Sequence, residues 1–490
     1  MNELENPQEE FITLQKAAEL FKKTVSNISY LVQYSRISKF YRTKDENILD
    51  AKDIKSQKIR NSSTPVVSLI ELIEYFEKLR KNEEEIIRQI PNCNKDLLFF
   101  NIPERERTKH VHRFHPYMGK FIPQLVEYYL DKYFQEENLI LDPFAGSGTT
   151  LIECNVKNIK SIGLDISYFN CLITQVKMQI YDTKKLKIEM DDILDKTIEE
   201  DKRIKNQKEV IQTHQKRIDH FITSDKNIIV KNQYKTENKY LNKWFAQNTL
   251  KQMLIYSSLI PNYKYQNLLR VLLSRSIRSA RLTFHFELTR LKQPIYEPYV
   301  CHKHRHKVCA PTQSLIPFLK RYSKDTLRRI TEFSKIRSDQ PYIILNTDSS
   351  EIDLTKTLEK NFQGQKIDAI ITSPPYVGLI NYHKQHKYAY ELLGIEKNIE
   401  KEIGRRELGT GKAAREKYRD EIAKVFKNLK RFLKDDAIAF IVANDKWNLY
   451  PEIADLAGYK IIDCDERPVT KKASRERSFY SETIFHFKPL

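Results

Sequence analysis

The sequence predicts an α/β protein with a mostly parallel sheet and helices on both faces, preceded by a small helical N-terminal domain and interrupted by a helical insertion. Three observations lead there. From residue 139 short apolar strands alternate with helices: LILDPFAGSGTT runs into TTLIECNVKN, and IKSIGLDIS into SYFNCLITQVKMQI. That is the spacing βαβ units require. The alternation stops near residue 182 and resumes at PYIILNTDSS and QKIDAIITSPPY, so a long segment divides one sheet. Finally, the Pro-Pro pair after IDAII removes amide donors and restricts the residue before it, so a strand ends there.

Taken in order, residues 1–60 form the N-terminal domain. Leu14, Ala17, Ala18 and Phe21 recur at helical spacing, a break follows at Thr24-Val25-Ser26, and Ile28, Leu31 and Val32 line a second short helix. The pair resembles a helix-turn-helix of the excisionase or MerR-like type, with Ser26, Asn27 and Tyr30 opening the second helix; a helical hairpin that merely packs on its neighbour fits equally. Residues 61–105 read as a helical linker, NSSTP at 61–65 having a linker's composition and 67–90 forming a charged amphipathic helix. The sheet occupies 106–181 and 339–490. Between them, 182–338 is basic, helical in tendency, and placed where a target-recognition region would be.

Bulk properties narrow the function. A chain of 490 residues with 40% hydrophobic and 30% charged residues is expected to fold as roughly two to four domains. No apolar run is long enough to span a bilayer, and MNELENPQEE lacks the positive, then apolar, start of a signal peptide; a cytoplasmic protein is expected. Six cysteines, sparsely spaced, suit a reducing compartment better than a disulfide framework. The net charge of +19 makes nucleic acid the leading partner, since lysine and arginine gain affinity by releasing counterions from polyphosphate.

DPFAGSGTT (142–150) has glycines where the backbone turns from strand to helix at the open edge of the sheet. It lacks the Gly-Lys-Ser/Thr ending of a phosphate loop and fits the dinucleotide fingerprint poorly. One strand later Asp165, in GLDIS, stands where a carboxylate can accept hydrogen bonds from both hydroxyls of a ribose. Together they favour nucleoside binding.

DPFAGSGTT, GLDIS and TSPPY in this order resemble the S-adenosylmethionine-dependent methyltransferases that act on exocyclic amines of nucleic-acid bases, a Rossmann-like family. The resemblance implies that Asp142, Phe144, Gly146 and Gly148 hold the methionine part of S-adenosylmethionine, Asp165 the ribose and Asp348 the adenine. HRFHPYMGKFIP (112–123) resembles the segment that closes over the cofactor, implying His115, Lys120 and Phe121. Ser373, Pro374, Pro375 and Tyr376 then form the catalytic corner. An amine conjugated into a base ring is a poor nucleophile; the resemblance implies that the Ser373 side chain and the Pro374 carbonyl accept its hydrogens, and Tyr376 is expected to offer a face for an extruded base. Methylation at a ring carbon would need a Pro-Cys pair, and no cysteine here follows a proline.

Serine at the head of the motif is typical of enzymes of cytosine N4, with adenine N6 the other possibility. Double-stranded DNA is the expected partner, with a cognate restriction endonuclease as a second partner the resemblance admits. An RNA base methyltransferase and an inactive DNA-binding regulator on the same scaffold remain alternatives. Asn381, Tyr382, His383 and Lys384, behind the motif, and Arg275, Arg278 and Arg281, along one helical face near Arg270, are expected to touch nucleic acid. In CHKHRHKVC (301–309), Cys301, His304, His306 and Cys309 are too closely spaced for an ordinary zinc module; a basic loop touching phosphate is expected, and no metal.

Overall fold

The computed structural model describes residues 10–33, 36–54, 56–99, 102–218, 234–285, 287–288, 291–301, 307–469 and 480–490. The chain divides into two compact units, residues 1–104 with 466–481, and residues 105–465 with 482–490.

In the first unit, β1 (Phe11–Thr13), β2 (Phe40–Arg42), β3 (Ile48–Asp50) and β4 (Thr64–Ser68) form an antiparallel sheet in the order β1-β4-β2-β3. The two expected helices are present, Leu14–Leu20 and Val25–Gln33, the first capped by Thr13, which accepts the Lys16 amide. Ala17, Ala18 and Ile28 bury against Ile12 and Val67, while Tyr30 is exposed. The sheet is a finding beyond the helix pair. It also corrects the linker: Thr64 and Pro65 open β4, which pairs with two strands, and the helix Leu69–Arg88 buries Leu69 and Leu72 beside it. Residues 61–104 therefore belong to the first folded unit.

The second unit is built on β5 (Leu139–Asp142), β6 (Lys160–Asp165), β9 (Tyr342–Asn346), β10 (Ile367–Thr372), β11 (Leu433–Ala443), β12 (Tyr459–Val469, in this unit as far as Asp465) and β13 (Tyr480–Pro489, in this unit from Glu482), in the order β12-β13-β11-β10-β5-β6-β9. A separate hairpin pairs β7 (Tyr299–Cys301) with β8 (Lys307–Cys309). Strands β9, β6, β5, β10 and β11 pair in parallel, and β13 lies antiparallel to β11. By rank this is the doubly wound 3-2-1-4-5 arrangement with a final antiparallel strand beside the fifth. Leu139, Ile140 and Leu141 are all fully buried, as a central parallel strand covered on both faces demands. Leu139, Leu141, Ile162 and Leu164 pack with the helices Lys412–Lys430 and Tyr450–Ala457 on one face. Helices Thr149–Val156 and Tyr168–Met178 cover the other.

The basic insertion enters between the second and third strands by rank. Its helices Thr183–Ile218, Gln247–Leu259, Gln266–Ser279 and Ile316–Phe333 carry Leu186, Met253, Leu272 and Leu319 into one core with Leu151, Phe169 and Ile173. The segment expected as a target-recognition region thickens one face of the sheet.

Candidate active site

Strands β5 and β10 are neighbours and parallel, Ile140 opposite Ala369 and Leu141 opposite Ile370. The chain therefore leaves both at the same edge, the switch point where doubly wound sheets bind ligands. DPFAGSG follows β5 and Ser373–Tyr376 follows β10, so two loops 230 residues apart in sequence sit side by side. Asp142 ties them together. Its Oδ1 accepts from Thr372 Oγ1 at 2.6 Å and from the Phe144 amide at 3.1 Å, and its Oδ2 accepts from Thr150 Oγ1 at 2.8 Å. Burial pushes this carboxyl up to about 6, against the pull of those three donors.

The two loops line one cleft of about 800 Å3, counting the space open to solvent, with Phe144, Gly146, Asp165, Asp348, Ser373 and Pro375 in its wall. Asp142 is not in that wall, and neither is Gly148. Both were expected to touch the ligand; the structure makes Asp142 a brace and Gly148 a packing glycine, where an added Cβ would lie 2.5 Å from Thr174 Cγ2. Gly146 does face the cleft, at φ +51°, and an added Cβ would meet the Tyr117 hydroxyl at 2.8 Å.

Asp165 ends β6 with both oxygens engaged: Oδ2 accepts the Gly146 amide at 2.8 Å, and Oδ1 accepts the Ser167 amide at 2.7 Å and Asn170 Nδ2 at 3.1 Å. Burial again dominates, holding it at about 6. Asp348 follows β9, its Oδ1 accepting from the Ser350 amide and hydroxyl at 2.9 and 2.8 Å. Three successive strand ends thus deliver a glycine turn and two carboxylates to one cleft.

From upstream, Tyr117, Gly119, Lys120 and Phe121 line the same cleft. Lys120 Nζ donates to the His112 carbonyl at 2.9 Å. His115 does not reach the cleft wall. It is buried, with Nδ1 3.1 Å from the Pro116 carbonyl and Nε2 3.0 Å from Ser274 Oγ, so its ring anchors the segment. Tyr117, which sequence reasoning missed, occupies the place assigned to His115. Its ring stacks on Tyr382 at 5.7 Å and its hydroxyl accepts from Asn170 Nδ2 at 3.3 Å. An aromatic two residues from a histidine in an uncharged turn carries no local signal of this. Lys401 and Glu402, from a short turn after the catalytic corner, were missed as well.

At that corner Ser373 is half-buried and faces the cleft, Pro374 is buried behind it, and the Tyr376 hydroxyl donates to Glu482 Oε1 at 3.0 Å. Of the residues behind it, Tyr382 lines the cleft. His383 is buried between two partners: Nε2 accepts the Asn398 amide at 3.2 Å, which leaves the proton on Nδ1 against Glu402. It braces this segment and is not placed to touch nucleic acid. Asn381 is also buried, accepting the Lys384 amide at 2.7 Å as a helix cap and donating to Glu407 at 2.9 Å. Lys384 is exposed and paired with Glu407.

Two of the three helical arginines are corrected. Arg275 is 7% exposed, 2.7 Å from Asp325 and 4.2 Å over the Tyr322 ring. Arg281 is 5% exposed, donates to the Arg278 and Leu288 carbonyls and lies 4.8 Å over Tyr388. Both guanidinium groups are buried and bonded inside the protein, so neither is available to phosphate; Arg278 remains half-buried. In CHKHRHKVC, His304 and His306 lie outside the described residues. Among the described residues no helix is long and apolar enough to cross a membrane.

Several known proteins resemble this chain. A family model for DNA methylases of the N6/N4 type matches residues 4–176. The type II methyltransferase M.MjaII of Methanocaldococcus jannaschii is 38% identical over 98% of both chains. M.MvaI of Kocuria varians, also a type II methyltransferase, is 22% identical over 60% of this chain and 58% of its own. Among solved structures, the rRNA methyltransferase aviRa of Streptomyces viridochromogenes superposes with a TM-score of 0.29 at 9% identity, over 78% of this chain and 92% of its own, too distant to bear on function. With a relative 38% identical over nearly its whole length, the chain belongs to the N6/N4 DNA methylase family and is a DNA amino-methyltransferase of the cytosine-N4 or adenine-N6 type.

Proposed function

We propose that this enzyme transfers a methyl group from S-adenosylmethionine to the N4 amine of cytosine at a specific site in duplex DNA, as the modification activity of a restriction-modification system. The observation that carries this reading is the shared cleft: Gly146 and Ser373 line one cavity, and Asp142 bonds to both loops. Serine in place of an acid at the head of the motif favours cytosine.

The residues present fit the cofactor. Gly146 opens a cradle that a side chain would fill, Asp165 and Asp348 present carboxylates at successive strand ends, and Phe121, Pro143 and Phe144 supply apolar wall. When bound, S-adenosylmethionine supplies an electrophilic methyl on a sulfonium. Phe144 and Gly146 hold its methionine part, Asp165 its ribose and Asp348 its adenine, with Tyr117, Lys120 and Phe121 closing over it. Ser373 Oγ and the Pro374 carbonyl accept the two amine hydrogens, which makes the nitrogen more tetrahedral and frees its lone pair. Pro374 and Pro375 hold that carbonyl without needing to reorganise. Tyr376, fixed through Glu482, stacks on a base extruded from the duplex. The nitrogen sheds its proton only after it has gained the methyl, so no strong base is needed at the corner. The net charge of +19 attracts the DNA backbone, with Arg278 and Lys384 as candidate contacts.

The test is incubation with labelled S-adenosylmethionine and duplex DNA or RNA, followed by digestion and nucleoside mass spectrometry. N4-methylcytosine in DNA is expected. N6-methyladenine would overturn the choice of base, and label confined to RNA would overturn the substrate. Ser373→Ala should lower turnover by about 10²–10³-fold, the scale for losing one preorganised group, with cofactor affinity retained.

A further inference from the structure

Outside the cleft, the hairpin β7–β8 brings together a second cluster of chemically active side chains. His285, Cys301 and Cys309 each present a ligand atom, and these atoms lie within 4.8 Å of one another. Cys301 is fully buried; His285 and Cys309 are half-buried. The register explains the pairing. Cys301 sits opposite Lys307, and Cys309 is two residues beyond Lys307 on the same strand, so both thiols project from one face of the ribbon. His285 arrives from a separate turn, sixteen residues before Cys301. Its amide donates to the Tyr299 hydroxyl at 3.0 Å, and Phe284 packs edge-on against Tyr299 at 4.7 Å. The turn is thereby fastened to the first strand of the hairpin with its imidazole Nδ1 3.9 Å from Cys301 Sγ.

We propose that His285, Cys301 and Cys309 bind a structural zinc ion. Two thiolates and one imidazole are the donor set borderline-soft Zn²⁺ prefers, and hard Mg²⁺ or Ca²⁺ avoids. The spacing is right to within a small movement. A tetrahedral ion with Zn–S near 2.3 Å and Zn–N near 2.0 Å places its donors about 3.5–3.8 Å apart, so the 3.9 Å pair needs almost no change and the 4.8 Å limit a contraction of about 1 Å. The described residues supply three of the four donors of such a site. Binding exchanges two S–H bonds for two Zn–S bonds and releases two protons to solvent; no electron moves. The need for such an ion is physical. The hairpin has three residues in each strand, and an isolated two-stranded ribbon is marginal in water. A metal clip gathers it and the preceding turn into one unit.

The test uses the full-length protein, expressed with added zinc and purified without chelator. Elemental analysis should find about one zinc per chain, released when the thiols are titrated with a mercurial. Cobalt exchanged into the site should give the sulfur-to-metal charge-transfer absorption and intense visible bands of a tetrahedral thiolate complex. His285→Ala, Cys301→Ser and Cys309→Ser should each reduce the zinc content to below about a tenth of wild type, while circular dichroism and cofactor binding report whether the rest of the fold persists. Wild-type protein lacking zinc after this preparation, a Cys301–Cys309 disulfide found by mass mapping of freshly lysed cells, or zinc retained in full by the variants would each overturn the proposal. The wild-type stoichiometry decides even where a variant fails to fold.

Discussion

Replacing Asp142 separates two roles that the same residue could play. If it held the cofactor, as the family resemblance implies, its loss would weaken cofactor binding first. The structure instead uses it to join the loop after β5 to the end of β10, through the Thr150, Thr372 and Phe144 donors at 2.8, 2.6 and 3.1 Å. Asp142→Ala strands the Thr372 hydroxyl and the Phe144 amide, while Thr150 keeps the Ile371 carbonyl at 3.1 Å as an acceptor. At about 1–3 kcal/mol per buried unsatisfied donor, the loss of stability is about 2–6 kcal/mol. Asp142→Asn keeps one oxygen as acceptor, and Thr150, able to donate to Ile371, can turn to accept from the new amide. It should cost no more than about 1 kcal/mol. Kinetically, a corner displaced by about 1 Å loses on the order of 10²-fold in rate. The alanine variant should therefore fall in kcat by about that factor, with its cofactor Kd within about threefold of wild type. Urea unfolding, isothermal titration and single-turnover methylation measure the three quantities. An asparagine variant whose cofactor affinity drops more than tenfold while its kcat stays unchanged would refute the brace and restore the ligand role.

Other expectations follow from the same geometry. Gly146→Ala puts a methyl group 2.8 Å from the Tyr117 hydroxyl at a left-handed φ, so cofactor affinity should fall at least tenfold by calorimetry, and an unchanged Kd would show that the turn does not cradle the ligand. Asp165 titrates at about 6 without ligand, and only its ionised form accepts two hydroxyl hydrogens, so cofactor Kd should rise as pH falls below about 6; a flat profile between pH 5 and 8, checked on Asp165→Asn, would count against it. Asp142 carries the opposite linkage. Its folded pKa is raised, so the stability linked to it is fully present below about pH 4 and declines as pH climbs through about 6, by about 3 kcal/mol in all. Arg275→Ala removes one charged hydrogen bond to Asp325 and the stacking over Tyr322, while Arg328 and Arg329 stay paired with Asp325, and should destabilise by about 1.5–3 kcal/mol without altering the salt dependence of DNA binding. A smaller salt slope with stability intact would put that arginine back on the phosphate backbone.

The loops that carry chemistry were legible because their signals are local. A glycine turn after an apolar strand, an acid at the end of the next strand and a Pro-Pro-Tyr corner are each complete within about ten residues, and each lies where the alternation of strands and helices put it. What escaped the sequence depends on partners far along the chain. Arg275 looked like a phosphate contact because its position on a basic helix is visible, while Asp325, 50 residues later, is not. Arg281 finds Tyr388 more than a hundred residues on. NSSTP has the composition of a linker, yet Pro65 sits in a strand paired with Tyr41. The resemblance put His115 at the cofactor, and the side chain it bonds to, Ser274, lies within the insertion, far along the chain.

That last contact bears on what the insertion does. Helix Tyr168–Met178 grips the glycine turn directly: Thr174 Oγ1 donates to the Gly146 carbonyl at 3.2 Å, and the buried amine of Lys177 donates to the Ser147 carbonyl at 2.6 Å. The outer side of the same helix is covered by the insertion, since Leu172, Ile173 and Val176 share a core with Leu268, Leu272 and Leu319, and His115 is pinned to Ser274. Removing residues 183–338 would expose that apolar face and free both elements that shape the cleft, the glycine turn from behind and the Tyr117 segment from above. A shortened protein carrying a flexible bridge in place of 183–338 should therefore fail to bind cofactor, even though every residue of the glycine turn, Asp165 and the Ser373 corner is retained. Were the insertion a detachable recognition module, the shortened protein would bind cofactor normally and lose only its DNA specificity; calorimetry on that one variant distinguishes a scaffold from an attachment.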